Sequence, residues 1–232
     1  LEARAPEPGP GVFDAPNALA INRARMEHLS SLGLPLAGKS VLDVGAGVGY
    51  LARALVEMGC RVHCVEAREE NVAVLRARHP DIPATIADAE RFELASLGRF
   101  DVVFCYGLLY HLENPVAALR NMAAACGELL ILETIISDHD RLVAQFEDEP
   151  PSTNQALARI GNRPSPAFVG YALNRAGFAH VYAPRVPPAH EDFRFRWKND
   201  LAHRRDGHPL RCVFVASRRP LDQASLVPLI AG

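Results

Sequence analysis

The sequence predicts an α/β protein, a mostly parallel sheet doubly wound by helices on both faces. Three observations carry this. Short apolar runs alternate with stretches of helical spacing along most of the chain. A glycine-rich turn, Gly45-Ala-Gly47-Val-Gly49, joins the first apolar run to a helix. Two apolar runs near the end have no helix between them, which suits an antiparallel pair at one sheet edge.

Each element follows in order. Residues 17–31, preceded by Asp14, read as a helix leading into the first strand, Ser40-Val-Leu-Asp-Val44. Helical spacing then covers 48–58, a strand 61–65 and a helix 69–78. Residues 84–87 form a weak third strand, 100–105 a fourth and 128–133 a fifth. Asn114-Pro115 and Ser165-Pro166 each place a capping side chain before a proline at the first helical position. They open helices through about Ala125 and about Arg175, the second closed by Gly177. Residues 178–182 and 211–216 are the closing strand pair.

A chain of 232 residues predicts one large domain. With 49% hydrophobic and 22% charged residues, wholesale disorder is excluded. Twenty-five Lys and Arg against 27 Asp and Glu leave a net charge of −2, which counts against nucleic acid as the partner. Cys60, Cys64, Cys105, Cys126 and Cys212 form no C-x-x-C pair and read as reduced thiols of a cytoplasmic protein. No apolar run approaches the roughly 18 residues needed to span a bilayer, so no membrane is expected. The Pro- and Gly-rich start lacks a basic region followed by an apolar stretch and does not read as a secretory signal. Residues 1–13 are expected as a flexible arm, 14–220 as one domain and 221–232 as a tail. Long loops at 137–164 and 184–209 are expected to serve as lids or binding loops.

A strand ending in a glycine turn before a helix lets a ligand approach bare backbone at the helix N-terminus. The dinucleotide fingerprint G-x-G-x-x-G is not matched. The third glycine arrives early, at Gly49, and Tyr50 stands in the expected place. Asp43 precedes the turn. This stretch resembles motif I of the class I S-adenosylmethionine-dependent methyltransferases, where an acid precedes G-x-G-x-G. Glu66 follows Asp43 by 23 residues, where the family places the acid that takes both ribose hydroxyls. Asp88-Ala89 comes 22 residues later and resembles the position near the adenine amino group. Tyr106-Gly107 ends the fourth strand, where the family's backbone lies against the methionine part.

The resemblance covers roughly 14–134. It implies a seven-stranded sheet of order 3-2-1-4-5-7-6, the last strand antiparallel. It also implies S-adenosylmethionine as cofactor and S-adenosylhomocysteine as product. Methyl transfer to an oxygen of a small-molecule acceptor is the expected reaction. Asp43, Gly45, Gly47, Gly49, Glu66, Asp88, Ala89, Tyr106 and Gly107 are the expected cofactor residues.

Residues 105–115 lack the N/D-P-P-Y/F signature of methyltransferases acting on amino nitrogens. They resemble the L-Y-H-x-x-x-P pattern of members acting on small molecules, which also occurs in the enzyme that carboxymethylates the tRNA wobble uridine. His111 there is the candidate catalytic base, against a histidine that hydrogen-bonds backbone in a tight turn. Glu133, ending the fifth strand, either orients an acceptor hydroxyl or pairs with an arginine, the second being favoured. Asn22, Arg23 and Arg25 sit on the leading helix, where an arginine either meets the cofactor carboxylate or is solvated. Phe193-Arg-Phe-Arg-Trp197 fits base stacking, an exposed hairpin arm or a contact between two copies of the chain. His139, His190, His203 and His208 have no ligand spacing, and no metal is expected. Three rivals stand beside this reading: a tRNA-modifying methyl or carboxymethyl transferase, a NAD-dependent reductase or epimerase, and a non-catalytic cofactor-binding subunit. The second is disfavoured by the glycine spacing and the lack of a Tyr-x-x-x-Lys pair.

Overall fold

The computed structural model describes residues 10–149, 156–193 and 210–230. A 3-10 turn (Pro10–Asp14) leads to α1 (Pro16–Ser31), β1 (Ser40–Val44), α2 (Tyr50–Glu57) and β2 (Arg61–Glu66). Next come α3 (Glu69–Arg78), β3 (Ala84–Ile86), β4 (Phe100–Tyr106) and α4 (Pro115–Ala125), which runs directly into β5 (Cys126–Ile135). The hairpin β6 (Ala144–Asp148) and β7 (Ile160–Pro164) precedes α5 (Pro166–Arg175), followed by β8 (His180–Pro184), β9 (Arg211–Ser217) and β10 (Leu226–Ile230).

One of the two expected helix caps is realised in full. Ser165 accepts the Phe168 N–H at the start of α5. At α4 the Asn114 side chain makes no cap bond. Instead Glu90 reaches over from before β4, its carboxylate accepting the backbone N–H groups of Glu113 (3.1 Å) and Asn114. A carboxylate there also complements the helix dipole. Asp14 does not cap α1 either; it pairs with Arg78 of α3 at 2.6 Å.

The main sheet has the order β10-β8-β9-β5-β4-β1-β2-β3. β3, β2, β1, β4 and β5 run parallel, and β9 is antiparallel to both β5 and β8. The seven expected strands therefore lie in the expected sequence, and an eighth, β10, adds to β8 at the edge. The tail expected at 221–232 is corrected to that extent. Pro228 within it hides a strand from sequence patterning, and the edge position tolerates a residue without an N–H. The loop expected at 137–164 is likewise corrected: β6 and β7 pair antiparallel within it. Of the expected arm, residues 10–13 belong to the 3-10 turn. Of the loop expected at 184–209, Glu191–Phe193 form a further 3-10 turn. Residues 194–209, including most of the Phe193–Trp197 stretch, lie outside the described residues.

Period-two alternation divides each strand between two apolar layers. Leu42, Val44, Val103, Cys105, Leu130, Leu132, Phe214 and Ala216 face α4 and α5. Val41, Val102, Phe104, Leu129, Ile131, Val213 and Val215 face the layer of α1 and α2. Both faces being covered explains why these strands read as continuous apolar runs. α1 docks through Ile21, Asn22, Ala24, Arg25, His28 and Leu29, one stripe at helical spacing. Its C-terminal end is held by the segment before β10: Gln223 Nε2 donates to the Gly33 carbonyl (3.1 Å) and Ser225 Oγ to the Leu32 carbonyl (2.7 Å). All five cysteines are buried free thiols. Among the described residues no helix is long and apolar enough to cross a membrane.

Candidate active site

Strand order reverses between β1 and β4, and ligands in such sheets lie beyond the carboxyl ends of those strands. A cavity of about 570 Å³ opens there. α1 covers it with Asn22 and Arg25, and Phe13 closes the side of the glycine turn. Gly45, Glu66, Asp88, Ala89, Tyr106, Gly107 and His111 all line this one cavity. Asp43, Gly47 and Gly49 stand behind the lining.

The turn after β1 is built on glycines in the left-handed region, with φ of 83° at Gly45, 55° at Gly47 and 84° at Gly49. At Gly47 the requirement is steric as well as conformational, because a Cβ would lie 2.8 Å from the Phe13 ring. The Gly47 N–H donates to Glu66 Oε2 at 2.9 Å. Glu66 Oε1 accepts the Arg68 N–H (3.0 Å) and the Asn71 amide (3.3 Å). The carboxylate at the end of β2 is thereby fixed against the turn, at the cavity wall. Asp88 is half-buried at the same wall and accepts the Glu90 N–H at 2.9 Å.

Alternation sends Asp43, Tyr106, Glu133 and Arg211 toward the α1 side of the sheet, and two acids there meet opposite environments. Glu133 is fully buried between Arg25, which pairs with Oε2, and Arg211, whose guanidinium reaches Oε1 at 3.1 Å. Burial opposes its charge, but the two guanidinium groups outweigh that and hold the carboxyl below its ordinary range. Arg25 also donates to Asn22 (2.8 Å), and Arg211 to Asp192 (3.2 Å). Asp43 is 2% exposed, and its Oδ2 has no hydrogen-bond partner among the described residues. Burial, with the Glu66 charge adding to it, pushes its carboxyl up to about 7. The buried Tyr106 hydroxyl likewise meets no hydrogen-bond partner among the described residues.

His111 ends a 3-10 turn, Leu109–His111, between β4 and α4. Its Nδ1 lies 2.7 Å from Oε2 of Glu149, a side chain only 2% exposed. Glu149 follows β6, and its other oxygen accepts from Arg163 of β7 at 2.9 Å. Asn162 of β7 donates to the carbonyls of Leu109 (2.8 Å) and Leu112 (2.7 Å), clamping both ends of the turn. Burial holds the imidazole below its ordinary value against the opposing pull of Glu149. Burial thus disfavours the charged ring, and a neutral ring bonded to this carboxylate, which only accepts, has its lone pair on Nε2, an atom that meets no described residue. Among the described residues no cluster of three or more His, Cys, Asp or Glu is placed to hold a metal ion.

Residues 42–126 match the methyltransferase domain family Methyltransf_11. The N-terminal domain of EvdMO1, solved in the presence of S-adenosylhomocysteine and D-fucose, superposes with a TM-score of 0.64. That match has 25% identity over 85% of this chain and 82% of that one. Residues 42–126 are thus similar to a methyltransferase domain, and the fold is that of S-adenosylmethionine-dependent methyltransferases. A second structure, an S-adenosylmethionine-dependent methyltransferase from Mesorhizobium loti, shares the fold with a TM-score of 0.61. It is 19% identical over 84% of this chain and 98% of that one. Among curated proteins, the tRNA U34 carboxymethyltransferase of Alcanivorax borkumensis is 32% identical over 66% of this chain and 48% of its own length. The ubiquinone biosynthesis O-methyltransferase of Thiobacillus denitrificans is 36% identical over 47% of each. The chain thus spans about half the length of the curated relatives it matches.

The methyltransferase domain match ends before β6, so Glu149, Asn162 and Arg163 lie outside it. Sequence reasoning did not single out Glu149, Asn162, Arg163, Arg211 or Phe13. The Gly161-Asn162 pair reads as a turn signal in the sequence, but both residues lie within β7. Arg25, weighed as solvated or cofactor-facing, is buried on the cavity, whereas Arg23 is exposed. Glu133 has the arginine partner that was favoured for it, in fact two.

Proposed function

We propose that this methyltransferase binds S-adenosylmethionine in the cavity beyond β1 and β4, and methylates an oxygen of a small-molecule acceptor. The observation that carries this is His111, held at Nδ1 by Glu149 and opening on the same cavity as the glycine turn and Glu66. The residues suit such a cofactor. Glu66 offers a fixed carboxylate to a vicinal diol, Asp88 and Ala89 offer polar backbone and an acid to a base edge, and Tyr106 holds a hydroxyl without a partner among the described residues. Gly45 and Gly107 leave bare backbone at the strand ends, with Asp43 and the rest of the turn, Gly47 and Gly49, supporting from behind. When bound, S-adenosylmethionine supplies an electrophilic methyl group whose thioether leaves readily. His111 Nε2 takes the proton of the acceptor hydroxyl as its oxygen becomes the nucleophile, a contribution of about 10²–10⁴-fold. α1 and the 3-10 turn at Phe13 exclude water and align the reactants. The buried free thiols support a reduced, cytoplasmic setting.

The test is calorimetric titration with S-adenosylhomocysteine, with NAD as control, followed by transfer of labelled methyl from S-adenosylmethionine to a panel of small hydroxyl compounds. Saturable micromolar binding of S-adenosylhomocysteine alone and label in an ether or ester product are expected. NAD binding, or label found only on nitrogen or carbon, would overturn the reading. A second reading, tRNA modification, is supported by the 164-residue match to the U34 carboxymethyltransferase. Steeply salt-dependent tRNA binding would favour it.

A further inference from the structure

We propose that Glu149 is a positioning residue for His111, fixing the imidazole with Nδ1 protonated and Nε2 turned to the acceptor. The proposal rests on the reading of His111 as the base, and deepens it by naming the group that makes it one.

The hairpin β6–β7 gives three side chains to a single turn. Glu149 takes Nδ1 of His111 at 2.7 Å, Asn162 holds the carbonyls on either side of it, and Arg163 donates to the Tyr110 carbonyl at 3.2 Å. Asn162 and Arg163 suffice to hold backbone. A buried carboxylate aimed at one ring nitrogen is not needed for that. A carboxylate only accepts, so the proton in this bond belongs to His111 and the lone pair to Nε2.

The carboxylate is itself kept charged. Burial works against it, but the His111 and Arg163 hydrogen bonds outweigh burial and hold Glu149 below the ordinary carboxyl range. Arg163 is shared with Glu147 at 3.2 Å. The space is made by Gly161, where a Cβ would lie 2.2 Å from Glu149 Oε1. A glycine with no backbone need for one, directly under a buried acid, marks a site shaped around that acid.

Among the described residues, the groups that face the ring are Glu149 and Arg163 from the hairpin, Arg211 from β9 and Tyr110 from its own turn, whose ring centroid lies 4.0 Å away. Glu149 is the only acid among them, opposed by two arginines. Without its charge the imidazole would hold a proton still less readily, and would be the weaker base.

The test is nitrogen-15 NMR of the full chain labelled at histidine, in which His111→Gln identifies the His111 signals among nine histidines. The wild type is expected as the Nδ1–H tautomer above its titration midpoint. In Glu149→Gln the midpoint falls by about one pH unit or more. The acid limb of kcat moves to lower pH with it, and the plateau drops about tenfold with cofactor KM unchanged. An Nε2–H tautomer in the wild type, or an unmoved midpoint in Glu149→Gln, overturns the proposal. Should Glu149→Gln fail to fold, the wild-type tautomer alone decides. If His111→Gln keeps full turnover, the base reading falls. The spectra still report whether Glu149 sets the ring, so the two failures are separable.

Discussion

Arg25 on α1 and Glu133 at the end of β5 form an ion pair in which the side chains are 9% and 0% exposed. Arg211 closes the same carboxylate from the other side, and Asp192 balances Arg211. The four charges sum to zero, which lets them be buried together; removing one leaves the rest uncompensated. Glu133→Gln is expected to cost about 3–5 kcal/mol, a fall of about 10 °C in melting temperature for a chain of this size. A melt within 2 °C of wild type would show the cluster to be solvated.

Asp43 titrates in the opposite sense. Its carboxyl is raised from 3.8 to about 7 in the folded chain, so the folded state binds the proton more tightly than the unfolded one. Its contribution to stability is fully present below pH 4 and is lost as pH rises through 7. Asp43→Asn keeps the shape without the charge. The variant should match the cofactor-free wild type at pH 4 and gain on it up to pH 8, by at most roughly 4 kcal/mol. A difference that does not vary with pH contradicts this.

Glu66 bonds the glycine turn and faces the cavity, so its loss should register in ligand affinity before stability. Charged hydrogen bonds of this kind contribute about 1.5–3 kcal/mol each. Glu66→Ala is expected to weaken S-adenosylhomocysteine binding about 10- to 100-fold by calorimetry. Unchanged affinity would remove Glu66 from the cofactor site.

His111→Ala should lower turnover at least 100-fold while cofactor affinity is kept, as expected for a group acting on the acceptor. Gly161→Ala approaches the same chemistry without touching the cavity lining. Its methyl displaces Glu149, and a turnover loss of about tenfold or more is expected with cofactor binding intact. Normal turnover in His111→Ala would assign His111 to the turn alone.

The parallel half of the sheet was readable because buried strands need continuous apolar runs and wide glycine turns. β1 and α3 have the bounds their residues imply. Six of the nine cofactor candidates, Gly45, Glu66, Asp88, Ala89, Tyr106 and Gly107, share a cavity because the carboxyl ends of adjacent parallel strands must lie together. β10 was hidden by Pro228, which only an edge permits. β7, Ile-Gly-Asn-Arg-Pro, has little strand propensity and is held by what Asn162 and Arg163 reach. Glu149 lies 38 residues from His111, a separation no local spacing rule connects.

The bonds from Gln223 and Ser225 to the end of α1 join groups 190 and 193 residues apart. A chain emerging from the ribosome makes α1 well before these partners. Closing so long a loop draws its entropic cost late, after the central strands can already pair. A nascent chain that has reached only residue 220 thus has Asp43, Glu66 and Glu133 on their strands and Arg211 already made. The helix that roofs them gains these two bonds only when residues 223 and 225 are added, so the roof of the ligand chamber is secured after the sheet beneath it.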